Sequence, residues 1–324
     1  MDNMGYKISF LITARNESQS VLSATIDGLL ETTAQHPREI IVIDDSSDVP
    51  LSCTSPEVHV IRNREPIGVS RSRRYAASIA SGDVLVWLDA HMTFAPDWLD
   101  HMLIHVDSGA LLCSAFWDYE LSNCHCWGAD YLWCGERNYW EGRSPGFGLR
   151  HRTRFPGPGA VEVPMIVGAC YMMLRSSYEE FGGCSPLFRV YGADDIDISV
   201  RAWIMGVGVR CVTNAKVGHL SRSAFPYPVN FEHFEFNQLA MVRTIFEEQT
   251  VGILEQYFKP LPEVVEQWLN QTDFSGFREE VQSRRRISDE QFFRRFAPEV
   301  PVPSHKSPWN RWKDWIEQSF IRRY

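Results

Sequence analysis

No uninterrupted apolar stretch in the 324 residues comes near the roughly 18 needed to span a bilayer. The opening, Met1–Lys7, is short and polar, without the apolar core of a signal peptide. Both absences predict a soluble, cytoplasmic protein. Positive charge is scarce as well. Lys and Arg number 32 against 41 Asp and Glu, a net charge of -9, which argues against a nucleic-acid partner. A small anion is still compatible, because a few arginines and a metal ion can hold a diphosphate. The eight cysteines show no framework spacing. Cys124, Cys126 and Cys134 with His125 come closest to a cluster, but the two CxxC-like pairs of a zinc site are missing, so free thiols in a reducing compartment are expected. There is no internal repeat. Disorder is excluded by a hydrophobic content of 44%, enough for a large core.

What is there alternates. Ile8–Thr13, Glu39–Ile43, Val58–Ile61 and Val84–Leu88 are short apolar or β-branched runs, each closed by polar residues. Ser20–Leu30 and Ser70–Ala80 carry helical periodicity between them. This βαβαβ order predicts an α/β fold with a mostly parallel sheet covered on both faces. In such sheets ligands bind beyond the carboxyl ends of the strands, where Thr13, Asp45 and Asp89 fall. Residues 117–165, rich in aromatics, Gly and Pro, read as a long irregular loop that could serve as an acceptor surface or lid. Ala169–Leu174 reads as a strand. A helix is expected from Ser176, its N-cap, to Gly182-Gly183, another from Asp194 to Met205, and a strand over Val209–Thr213. From Asn230 on, the chain reads as helical, with Ser288 and Gln291 spaced as a capping box. The expected division is 1–229 as a catalytic domain and 230–324 as a helical extension. Within the former, 1–116 is the nucleotide-binding half and 117–229 the acceptor and sugar half.

Asp89-Ala90-His91 is the strongest local signal. A carboxylate and an imidazole two residues apart on extended chain can face one cation. Oxygen suits Mg²⁺, and the added nitrogen tilts the choice towards Mn²⁺. His219, at a second strand end in Val217-Gly218-His219, is placed to complete such a site.

Six motifs in order resemble the catalytic domain of the polypeptide N-acetylgalactosaminyltransferases, within the GT-A glycosyltransferases. Ile12-Thr13-Ala14-Arg15-Asn16-Glu17 is similar to that family's first strand and polar turn, and Val42–Ser47 to its uracil-holding VDDxS segment. Gly68-Val69-Ser70-Arg71-Ser72-Arg73 resembles its GLxRxR helix start, and Trp87–His91 its FLDxH metal motif. Val217–Arg222 is similar to VGHVFR, and Arg284–Pro298 to a basic and aromatic tail segment. The resemblance implies a Rossmann-like GT-A fold, a UDP-sugar donor and a divalent metal. It implies Asp89, His91 and His219 as metal ligands and Arg222 on the diphosphate. Thr13 and Asp45 are implied at the uracil, with Arg15, Arg71, Ala90 and Tyr227 completing the donor site. Arg71 is expected to brace Asp89 or the phosphates, unless it is a helix-surface charge.

The departures matter as much. In Tyr191-Gly192-Ala193-Asp194-Asp195, Asp194 matches a family Glu that contacts donor-sugar hydroxyls, while Asp195 replaces an Asn. Inverting GT-A enzymes carry an acidic pair at this place, and its second member takes the acceptor's proton. The resemblance therefore implies retention, whereas Asp195 favours inversion. Ser221 stands where the family has a Phe at the acceptor peptide, and Tyr119 where it has a Trp. The expected activity is transfer of a hexose or N-acetylhexosamine from a UDP-sugar to a peptide or protein side chain. A glycan or small-molecule acceptor, and a silent nucleotide-binding scaffold, are the alternatives. Trp309, Trp312, Ile316 and Phe320 share one face at helical spacing. Packing of that last helix on the catalytic domain is expected ahead of contact with a membrane surface.

Overall fold

The computed structural model describes residues 5–135, 137, 144–222, 224–300 and 302. The chain opens with β1 (Ile8–Ala14), α1 (Gln19–Thr32), β2 (Arg38–Asp44), β3 (Val58–Arg62), α2 (Val69–Ile79) and β4 (Val84–Asp89). Then come β5 (Met92–Phe94), α3 (Trp98–Leu103), β6 (Leu111–Asp118), β7 (Cys124–Cys126), β8 (Ala129–Cys134), β9 (Gly146–His151) and β10 (Ala160–Glu162). The rest is β11 (Cys170–Leu174), α4 (Arg175–Phe181), α5 (Asp194–Ile204), β12 (Val209–His219) and the helices α6 (Phe231–Ile245), α7 (Glu248–Leu254), α8 (Glu263–Gln271), α9 (Ser275–Arg284) and α10 (Asp289–Phe296).

The main sheet runs β10-β12-β6-β11-β4-β1-β2-β3. Strands β1 to β4 are parallel. Because β11 opposes both β4 and β6, and β12 runs with β6, the direction of β4 is restored in β6 and β12. The carboxyl ends of β1, β4 and β12 therefore open on one edge, and the start of β11 lies there too. Alternation divides the side chains of each strand between two layers. Phe10, Ile12, Val86 and Leu88 pack under α1 with Leu22, Ile26 and Leu29. Leu11, Leu85 and Trp87 face the other layer, with α2, α5 and the C-terminal helices.

Two expectations need correction. Residues 117–165 are not one irregular loop: β8 and β9 form a separate antiparallel pair. The aromatics are the reason. Tyr131 and Phe147 are buried, where Phe147 stacks on Phe246 and Phe293 of the C-terminal segment and Tyr131 meets Phe292 edge to face. Ser176 is not an N-cap either, since α4 starts at Arg175 directly after β11 with Leu174 in the cap position. The other cap signals are present: Gly182 ends α4 in the left-handed region, and Ser288 with Gln291 forms a reciprocal box; the side chain of Asn230 also caps α6. Strand β12 runs through to His219, past a register shift between Val212 and Lys216. The run Trp309 to Phe320 lies outside the described residues. Among those described, no helix is long and apolar enough to cross a membrane.

Candidate active site

A cleft of about 500 Å³ opens at the carboxyl edge of the sheet. Thr13 and Arg15 reach it from the end of β1, Asp89, Ala90 and His91 from the end of β4, and His219 from the end of β12. Arg222 and Tyr227 follow from the loop after β12, and Asp194 and Asp195 from the first turn of α5. Ten of the residues expected from sequence thus meet in one place.

Asp89, His91 and His219 offer ligand atoms that all lie within 4.8 Å of one another, the one such group among the described residues. His91 Nε2 is 3.0 Å from His219 Nε2, which is 3.3 Å from Asp89 Oδ2. Two ligands at right angles, each about 2.1 Å from a shared ion, would be about 3.0 Å apart. Two bare imidazole nitrogens at this distance repel, so they need a cation between them or a proton on one. One carboxylate oxygen and two imidazole nitrogens are a donor set suited to Mn²⁺, and the site fits the metal that the sequence implies. Burial would raise the Asp89 pKa. The hydrogen bond from His219 and the charge of Arg73 lead the effects that outweigh it and bring the group to about 2, so Asp89 is anionic.

Asp195 lines the same cleft. Its Oδ2 accepts a hydrogen bond from Gly168 N at 3.0 Å, and its Oδ1 is 3.9 Å from Arg73 Nη1. Burial raises its pKa, Arg73 opposes this, and Asp89 adds to it. Asp194 is raised to about 7, by burial and then by Asp195 and Asp197, against the pull of Arg73. Its Oδ1 is buried without a hydrogen-bond partner, and the residue lines the cleft. An ionised carboxylate with a raised pKa is a stronger base than a surface Asp, which suits proton abstraction near neutral pH.

Three residues are placed differently from expectation. Arg71 is exposed on α2 and does not line the cleft. Arg73, two positions on, reaches Asp89 at 3.1 Å and the Gly168 carbonyl at 3.1 Å, with its guanidinium over the Tyr171 ring at 5.2 Å. A helix turns about 200° in two residues, so only one of the pair can face the sheet. Position 73 belongs to the apolar stripe with Val69, Ala76 and Ala77, a signal the sequence carried. Asp45 is the second case. Its carboxylate is turned into the protein, where Oδ1 accepts from Asn63 Nδ2 and Ile67 N, and Oδ2 from Gly68 N. It shapes the loop leading into α2 and lies outside the cleft lining. Tyr119 is also off the cleft, with its carbonyl accepting from Thr93. Sequence reasoning assigned no role to Glu17 and Gly168, both of which line the cleft.

Comparison with known proteins agrees with this geometry. Residues 9–182, more than half of the chain, match glycosyl transferase family 2. Polypeptide N-acetylgalactosaminyltransferase 14 of Homo sapiens is 30% identical over 241 residues, 68% of this chain and 41% of that protein. Polypeptide N-acetylgalactosaminyltransferase 11 of Xenopus tropicalis is 27% identical over 310 residues, 88% of this chain and 48% of that one. The chain spans about half the length of the curated relatives it matches. A crystal structure of GalNAc-T7 with UDP, GalNAc and Mn2+ superposes with a TM-score of 0.70 at 20% identity, covering 93% of this chain and 59% of that one. The fold is therefore that of GT-A transferases, a mixed α/β sheet followed by C-terminal helices. By its sequence match, the chain belongs to glycosyl transferase family 2.

Proposed function

We propose that the protein transfers a hexose or N-acetylhexosamine from a UDP-sugar to a side chain of a peptide or protein. The observation that carries this is the convergence of Asp89, His91 and His219 within 4.8 Å at the floor of a cleft that Asp195 and Arg222 also line. The relatives support a peptide acceptor through their names, and GalNAc-T7 supports UDP and Mn²⁺ through its bound ligands. Asp89, His91 and His219 would hold Mn²⁺, or Mg²⁺ in its place. When bound, the ion supplies Lewis-acid neutralisation of the charge that grows on the departing diphosphate. Arg222 adds donors to the same oxygens, and Thr13, Arg15 and Tyr227 line the nucleotide side of the cleft. Arg73 keeps Asp89 in place and balances the acidic pair. Asp194, which lines the same cleft, faces the sugar hydroxyls. Asp195 takes the proton of the acceptor nucleophile, which is the chemistry of inversion. We place the enzyme in the cytoplasm, a reading supported by cysteines that show no framework spacing.

The test is a panel of nucleotide sugars incubated with Mn²⁺ and candidate peptides, read by nucleotide release and by mass spectrometry of the peptides. UDP-sugars should be consumed in preference to GDP- and CDP-sugars, with loss of turnover on chelation, and a peptide should gain the sugar mass. Sugar found only on glycans or small molecules would refute the peptide acceptor. No release from any donor, with UDP still bound, would leave a silent scaffold.

A further inference from the structure

Glu17 is a buried acid with two partners at the cleft. It follows β1, and only 3% of its side chain is exposed. Its Oε2 is 2.9 Å from His91 Nδ1, and its Oε1 is 2.6 Å from Arg222 Nη2. Oε1 also accepts from Ser18 N at 2.8 Å. A guanidinium and a backbone amide thus both donate to the same oxygen, which pairs the acid with a fixed positive charge. The group is a carboxylate, and a carboxylate only accepts hydrogen bonds.

That has a consequence at each end. A neutral imidazole carries one N–H. With Glu17 as acceptor the proton sits on Nδ1, leaving the lone pair of Nε2 aimed at His219 and the cation position. At the other end, Arg222 lies three residues beyond His219 on the loop after β12, and the same carboxylate holds its guanidinium at the cleft. We propose that Glu17 is a positioning residue that prepares two ligand-facing groups at once, the metal-binding face of His91 and the phosphate-facing guanidinium of Arg222. This rests on the metal and diphosphate roles given under the proposed function.

Glutamine at position 17 cannot serve both ends. If its single oxygen faces His91, its NH2 meets Arg222 and Ser18 N, which are donors. If the oxygen faces those donors, the NH2 meets His91 Nδ1 and drives the ring to the Nε2–H tautomer, which cannot bind a metal through Nε2. The loop itself has other ties: Arg15 lies over the Tyr227 ring at 4.8 Å, and Asn16 Nδ2 is 3.4 Å from the Pro226 carbonyl. The substitution thus acts on the carboxylate more than on the attachment of the loop.

The first measurement uses the metal-free wild-type protein, with the His91 tautomer read by long-range ¹H–¹⁵N correlation at alkaline pH. Nδ1–H with a bare Nε2 is expected, and Nε2–H would overturn the proposal whether or not any variant folds. The second compares wild type with Glu17→Gln, using Mn²⁺ alone by electron paramagnetic resonance and then UDP with Mn²⁺ by calorimetry. One of the two affinities should fall about 10- to 100-fold. A lower Tm with both affinities unchanged would reduce Glu17 to a structural role and refute the proposal. Wild-type protein that binds no Mn²⁺ would instead sink the metal reading, with the tautomer still deciding the case of Glu17.

Discussion

Replacing Gly168 with alanine should stop turnover while leaving the donor bound. A Cβ at this position would lie 1.9 Å from Asp195 Oδ1, 2.4 Å from its Cγ and 2.6 Å from Oδ2. Ordinary contact begins at 3.4 Å, so the carboxylate must retreat by about 1.5 Å and leave the Gly168 amide that now holds it. Gly168 is not among the residues with positive φ, so alanine meets no backbone strain of its own. The collision with Asp195 is the whole effect. A misplacement of about 1 Å can cost roughly 100-fold in rate. A fall in kcat of at least about 100-fold is therefore expected, or about 2.7 kcal/mol in the barrier. Overpacking should also take about 1–3 kcal/mol from stability. The assay is steady-state UDP release at saturating donor and acceptor, with UDP affinity measured in parallel by calorimetry. In an Asp195→Ala background the obstructed atoms are gone, so Gly168→Ala should add nothing further. Turnover above a tenth of wild type, or the same loss in both backgrounds, would refute the argument.

Asp195→Asn keeps shape but removes basicity, and should lower the rate by about two to four orders of magnitude. An α-linked product from an α-linked donor, with this variant nearly fully active, would rule out inversion; NMR coupling of the anomeric proton distinguishes the two. His219→Ala should weaken Mn²⁺ binding and cut turnover by orders of magnitude with little change in Tm, and unchanged activity at low Mn²⁺ would count against the ligand. Asp194, raised from 3.8 to about 7, binds more protons folded than unfolded across that range, so its contribution to stability is lost as pH rises from about 4 to 7. Metal-free Asp194→Asn should fall less steeply than wild type when Tm is measured against pH over that window, and parallel curves would contradict the shift.

Local pattern was enough for much of this protein. Hydrophobic runs of strand length among helical periodicities set the alternation of the first half, which the structure renders as βαββαβ. The direction of a parallel sheet then sends Thr13 and Asp89 to a single edge. Metal-binding chemistry was legible because Asp89-Ala90-His91 needs only neighbouring residues on extended chain. His219 was harder. It shares the site only because β11 opposes its two neighbours and so restores the direction of β4 in β6 and β12. That is a topological fact with no local trace.

Other features belong to tertiary structure alone. Asp45 follows β2 as Asp89 ends β4, and nothing in the chain says that three donors from residues 63–68 turn its carboxylate inward. Arg71 and Arg73 are chemically the same, and the helix face decides between them. The aromatics of 117–165 looked like loop until Phe246, Phe292 and Phe293, more than 90 residues on, gave them a surface to pack on. Gly168 and Glu17 act through atoms brought from 27 and 205 residues away. Composition and periodicity report the preference of a segment for helix or strand, which is set by neighbours a few residues apart. The partners of a carboxylate are set by which chain ends the sheet brings to the same edge.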